Sequence, residues 1–155
     1  MPPDLTDKVE LTTITQDHID EIMAIEAASF SHPWSRRLFV AELNNASGLA
    51  LGALWGKRQG FLAAYLFLWL VADEAQVHTV AVHPALRGKG LASYILLAGF
   101  DLARGKGATW ASLEVRSANL AAQKLYEKLG FSVVGRRPGY YQNPLEDAVL
   151  MNCDI

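Results

Sequence analysis

Apolar and polar positions change period along this chain, and each change marks an element. In KVELTTIT they alternate, the two-residue period of a half-buried strand. In QDHIDEIMAIEAASF, Ile19, Ile22, Ile25 and Ala28 fall at helical spacing and predict an amphipathic helix. Pro33 in SHPWS breaks it, and Ser35 is placed to cap a short second helix reaching to about Asn44. SGLALGALWG and FLAAYLFLWLVA are apolar runs joined by KRQG, which reads as a hairpin. AQVHTVAV is a further strand, ended at His83-Pro84 because proline brings no ladder donor. A helix then runs from about Gly90 to Arg104, with Leu91, Ile95, Ala98 and Leu102 on one face and Gly105 and Gly107 stopping it. ATWASLEV is a strand, NLAAQKLYEKLG a helix ended by Gly130, and FSVVGRR and DAVLMNCDI two last strands.

The predicted order is β-α-α-β-β-β-α-β-α-β-β. A right-handed crossover joins the strand before Gly90 to the strand after Ala108. This is an α/β chain around a mixed sheet, and ligands in such folds tend to sit at the carboxyl ends of central strands. At 155 residues a single domain over 1–155 is the simplest organisation. The formal charge of −2 gives no footing for wrapping nucleic acid or an anionic membrane. Cys153 is the one cysteine, so no internal disulfide can form. The opening MPPDLTDKVE lacks the basic start and apolar core of a signal peptide. The longest charge-free apolar run, Phe61 to Ala72, falls short of the roughly 20 residues a membrane helix needs. The expectation is a soluble, cytoplasmic protein.

The stretch HPALRGKGLASYILL places a small, basic, glycine-containing turn directly before a helix. A helix N-terminus leaves about four backbone N–H groups unpaired and carries roughly half a positive charge. Gly88 and Gly90 allow those amides to close around an anion, and Arg87 and Lys89 add charge at the rim. Neither the GxxxxGK[ST] nor the GxGxxG pattern is present. On these six residues alone a pyrophosphate cradle and a solvated turn stay equally open.

Arg87, Gly90 and Ala92 match the [QR]xxGx[GA] motif of the GCN5-related N-acetyltransferases, and the element order resembles that fold along nearly the whole chain. SLEVRSANLAAQKLYEKLGF, RRPGYY, EDAVLM and IEAASFSHPWS further resemble the RimI-type ribosomal-protein N-terminal alanine acetyltransferases. The resemblance implies a mixed sheet of about seven strands with about four helices, acetyl-CoA as co-substrate and no metal. It also implies acetylation of a protein N-terminus, by resemblance the alanine of small-subunit ribosomal protein eighteen.

Transfer of acetyl from a thioester requires a neutral amine and a proton for the departing thiolate. Glu114 shares a strand face with Trp110 and Ser112, opposite Leu113 and Val115. Chemistry alone leaves it either the base or a partner for Arg116 or another cation; the resemblance implies the base, with a water able to relay the proton. Tyr126 read on its own is helix packing beside Leu125 and Leu129; the resemblance implies a thiol-facing acid. Asn119, two turns earlier, is placed to hold the pantetheine arm, and backbone groups of Val80, Ala81 and Val82 to meet its amides. The phosphates fall to Arg87, Gly88, Lys89, Gly90, Leu91 and Ala92. His78 reads more readily as a hydrogen-bonded core residue than as a proton relay.

For the acceptor the resemblance points to Pro33 and Trp34 in one loop and Tyr140 and Tyr141 in another, aromatic walls for a small first side chain; inward-folded aromatics in ordinary turns are the other reading. Ser31 and His32 depart from the usual FPWS. Rival functions are acetylation of a polyamine, an aminoglycoside or an amino acid, and an acetyl-CoA-binding regulatory module. RNA binding through Arg87, Lys89, Arg104 and Lys106 lacks a stacking pattern. Oligomeric state is not legible.

Overall fold

A computed structural model describes residues 4–56 and 60–155. The elements follow the predicted order: β1 (Val9–Thr13), α1 (Ile19–Ser29), α2 (Arg36–Leu43), β2 (Gly48–Trp55), β3 (Phe61–Val71), β4 (Glu74–Val82), α3 (Leu91–Gly105), β5 (Trp110–Arg116), α4 (Leu120–Lys128), β6 (Ser132–Tyr141) and β7 (Glu146–Asp154). Gln16–His18 precede α1 as a single 3-10 turn, so the first predicted helix is split. The turn expected at KRQG falls on residues 57–59, outside the described residues. No helix among the described residues is long and apolar enough to cross a membrane.

The strands form one seven-stranded sheet in the order β1-β2-β3-β4-β5-β7-β6. Only β4 and β5 run parallel; the other neighbours are antiparallel. The crossover through α3 buries Leu91, Ile95, Leu96, Gly99, Phe100 and Ala103. The predicted inward face is therefore half right. Leu91 and Ile95 point in, but Leu102 is 46% exposed. The helix is rotated because Gly99 lets its backbone approach the sheet: a Cβ there would lie 2.4 Å from Cδ2 of the fully buried Leu66.

Two cores lie on opposite faces of the sheet. One holds Leu66, Leu68, Leu113, Val115, Phe100 and Tyr126, beneath α3 and α4. The other holds Ile19, Ile22, Ile25, Phe39, Tyr65 and Phe67, beneath α1 and α2. Ser35 caps α2 as predicted, its Oγ accepting the Leu38 N–H at 3.1 Å.

The β4–β5 ladder is short. Glu74 to Val77 pair with Trp110 to Leu113, and then the two strands part. On its other edge β4 stays paired with β3 as far as Val82, and β5 stays paired with β7 through Arg116. The parting begins at a bulge: Phe67 faces Thr79 while Leu68 faces Val77, leaving His78 as the extra residue. From His78 to Val82, half of the backbone N–H and C=O groups of β4 have no strand on the β5 side.

Gly99→Ala is expected to destabilise the fold by about 1–3 kcal/mol, since Leu66 has no room to yield. A denaturant titration should show a lower midpoint with an unchanged m-value.

Candidate active site

Alternation along β5 sends Leu113 and Val115 into the core under α3 and α4, and Glu114 to the opposite face. Its side chain is 31% exposed and lies 3.5 Å from an Nη of Arg137 on β6. Arg116 is not its partner. That guanidinium bonds Glu146 at 3.2 Å and stacks over the Tyr141 ring at 4.2 Å. The Glu114 carboxylate also engages the Tyr140 hydroxyl, raising that phenol's pKa first by hydrogen bonding and then by charge. Tyr140 and Tyr141 were expected in a loop; they end β6, where the β6–β7 register shifts between Arg137 and Tyr141. Their rings meet edge to face at 5.1 Å.

Glu146 acts as the lock of this hairpin. It accepts the Ala118 N–H at 2.6 Å, and that bond, ahead of Arg116 and Ser117, holds its pKa below the usual carboxylate range. The loop between β5 and α4 is thereby tied to the start of β7, directly across from Tyr141.

Tyr126 lies on the far side of the sheet from Glu114, in the core with Val115 and Phe131. It is 7% exposed, and burial, with a smaller contribution from Tyr141, pushes its hydroxyl up to about 12. The packing role is therefore present, with the Tyr126 ring 5.7 Å from that of Phe131. Asn119 is not inside α4 but caps it: its Oδ1 accepts the Ala122 N–H at 3.1 Å. Asn119 is exposed.

At the glycine turn, Gly88 has φ +78° and Gly90 φ +85°, conformations that suit only glycine without strain. A Cβ on Gly88 would meet nothing within 4 Å. Gly90 begins α3 with no side-chain cap, whereas α2 and α4 are capped by Ser35 and Asn119. The amides of Leu91 and Ala92 thus belong to a helix start bare of side-chain acceptors. Lys89 is exposed at the rim. Arg87 turns instead toward the end of α1, donating to Ser29 Oγ at 3.0 Å and the Ala28 carbonyl at 3.4 Å, with its Nε toward the Val82 carbonyl at 3.3 Å. Val80, Ala81 and Val82 form the stretch of β4 that has left β5. The bare amides, open glycine turn and free strand edge suit a phosphate-bearing ligand with an amide-containing arm, such as acetyl-CoA.

His78, the extra residue of the bulge, is exposed and not in the core as expected; it lies against the Trp69 indole, with centroids 4.3 Å apart and the rings tilted by 33°. Loss of solvent on the covered side lowers its pKa, while Glu42 and Glu114 oppose that shift. Trp69 is itself held by Glu42 at 2.6 Å. Trp34 folds inward against Phe39 and Phe67, at 5.2 and 6.4 Å, leaving Pro33 on the outer side of its loop.

Three parts of this arrangement escaped the sequence reading. The Arg137 partner of Glu114 sits 23 residues away on another strand, with no local signal. The Arg116–Glu146 lock also depends on strand pairing. The third is Glu26, buried in α1, and here there was a signal: it falls one turn after Ile22, on the apolar stripe. Among the described residues no group of three or more His, Cys, Asp and Glu is arranged to hold a metal ion.

Residues 19–131 match the model of the acetyltransferase (GNAT) family. A Bacillus subtilis protein provisionally named [ribosomal protein bS18]-alanine N-acetyltransferase is 35% identical over 147 residues, 93% of this chain and 94% of its own. The N-alpha-acetyltransferase RimI of Mycobacterium tuberculosis is 34% identical over 155 residues, 96% of this chain and 94% of its own. Among solved structures, the ribosomal-protein-S18-alanine N-acetyltransferase of Escherichia coli superposes with a TM-score of 0.85 at 29% identity, covering 95% of this chain and 94% of that one. Sequence and fold together show that the chain belongs to the acetyltransferase (GNAT) family.

Proposed function

We propose that this acetyltransferase moves acetyl from acetyl-CoA to the N-terminal amine of a protein, and that the acceptor is the N-terminal alanine of ribosomal protein S18, in the cytoplasm. The observation that carries the reading is the placement of Glu114 and Tyr126 on opposite faces of the sheet whose central strands β4 and β5 part. A thioester lying in the parting would meet an amine from the Glu114 face and the buried hydroxyl from the other. The S18 acceptor is supported by the names of the relatives.

In this reading the amides at Gly88 to Ala92 hold the pyrophosphate, with Lys89 at the rim. The edge of β4 from Val80 to Val82 that has left β5 bonds the pantetheine amides, the Val82 carbonyl being shared with Arg87 Nε, and the Asn119 NH₂ is available to the same arm. Arg87 braces the turn against α1. Pro33, with Trp34 behind it, forms one side of the acceptor slot, and Tyr140 and Tyr141 the other.

The peptide α-amino group has a pKa of about 7.7–8.0, so a carboxylate suffices to take its proton, directly or through water. The amine nitrogen attacks the acetyl carbonyl, the C–N bond forms and the C–S bond breaks. Glu114 receives the amine proton, and Tyr126 supplies one to the sulfur and is reprotonated from solvent. No covalent acetyl-enzyme is needed. Cys153 pairs with Ala111, three residues along β7 from the partner of Glu114, and burial raises its thiol pKa.

Glu114→Gln should lower kcat roughly 100-fold near pH 7 and recover part of it above about pH 8, where more amine is already neutral. A pH–rate profile unchanged by the substitution would remove Glu114 from the chemistry. With its hydroxyl held up to about 12, Tyr126 stays protonated through the working range, so kcat should show no falling limb between about pH 8 and 10. Tyr126→Phe should cut kcat about tenfold or more and leave acetyl-CoA Kd within about twofold. A large loss of affinity would make Tyr126 a binding residue instead.

The acceptor is tested by thiol release with short peptides differing only at residue one, alongside a polyamine and an aminoglycoside. Turnover with N-terminal alanine that disappears on blocking the α-amine is the expected result. Turnover with the small amines alone would overturn it.

A further inference from the structure

The carboxylate of Glu26 sits among apolar side chains at 1% exposure. Burial raises its pKa, against the pull of its hydrogen bonds. An ionisable group in such a place is rare without partners, and this one has two. Tyr65, itself fully buried on β3, donates its hydroxyl to Oε1. The backbone N–H of Trp34 donates to Oε2 at 2.8 Å. Tyr65 in turn interacts through its hydroxyl with Thr79 on β4, the first residue after the bulge.

The bond to Trp34 matters because of what the loop otherwise lacks. Among the described residues, 31–34 make no backbone–backbone hydrogen bond. Ser31, His32 and Pro33 are exposed. The loop is held by the Trp34 ring against Phe39 and Phe67, and by this N–H on Glu26. An apolar residue at position 26 would suit the surrounding core but would leave the Trp34 N–H without its acceptor.

We propose that Glu26 is the positioning residue of the acceptor slot: from inside α1 it holds the α1–α2 loop against the sheet, in register with Tyr65 and Thr79, for an incoming peptide N-terminus. This rests on the acceptor reading above. Glu26 touches neither substrate. Its effect is carried by the placement of Pro33 and Trp34, so it belongs to peptide recognition and not to acetyl-CoA binding.

Three measurements test it. Glu26→Leu should raise the KM for an N-terminal alanine peptide about tenfold or more, with acetyl-CoA Kd by calorimetry within about twofold of wild type. Glu26→Gln retains one acceptor for the Trp34 N–H and a donor that the Tyr65 hydroxyl can accept, so it should stay within about threefold of wild type. In the unsubstituted protein the Trp34 amide should exchange at least about tenfold more slowly than those of Ser31 and His32, a comparison that needs no variant to fold. Peptide KM unchanged in Glu26→Leu, peptide KM and acetyl-CoA Kd rising together, or a Trp34 amide as fast as its neighbours would each overturn the proposal. An unsubstituted protein that acetylates no peptide would overturn the acceptor reading itself, which the amide comparison distinguishes from a failure at Glu26.

Discussion

Everything distinctive about this molecule depends on β4 and β5 ceasing to pair after Val77 and Leu113. Parallel strands in the middle of a sheet normally satisfy each other's backbone groups along their length, and leaving them unpaired is unfavourable unless something else bonds them. Here the two strands are each kept extended by their outer neighbours, β3 and β7, so the parting cannot collapse into disorder. The bulge at His78 starts the divergence, and the turn at Gly88 and Gly90 then delivers the start of α3 beside it. One backbone decision thus places a free strand edge and a bare helix terminus together.

The two faces of the sheet differ in character on either side of the strands that part. Glu114 belongs to the polar side, with Arg137 and Tyr140; Tyr126 belongs to the dry side, with Val115 and Phe131. Their environments differ accordingly. Glu114 is partly exposed and beside a cation. A phenol buried in hydrocarbon keeps its proton, because ionising it there is unfavourable.

Around the parting, the loops are held by directional bonds from polar side chains, two of them buried or half-buried and one, Arg87, exposed. Glu146 ties the β6–β7 hairpin to the start of α4, Arg87 ties the glycine turn to the end of α1, and Glu26 ties the α1–α2 loop to β3 and β4. Loops that must admit ligands cannot be fixed by burying their own surfaces, so directional bonds from the scaffold take over that task.

The sequence by itself determined the element order, the mixed sheet, the uncapped turn before α3 and the strand that carries Glu114. These follow from local signals: period, proline and glycine positions, and capping residues read within a few turns. Even the strand face of Glu114 was legible, because alternation is a local property. Tertiary structure decided the rest. It set the rotation of α3, since only packing on Leu66 shows that Gly99 faces in and Leu102 out. It paired Glu114 with Arg137 and not Arg116, since strand register governs which side chains meet. It turned Trp34 inward, moved Asn119 to the cap of α4, and gave Glu26 its partners on α1's own loop and on β3. Each of these joins residues distant in the chain, and such contacts are fixed by how helices and strands pack rather than by the residues beside them.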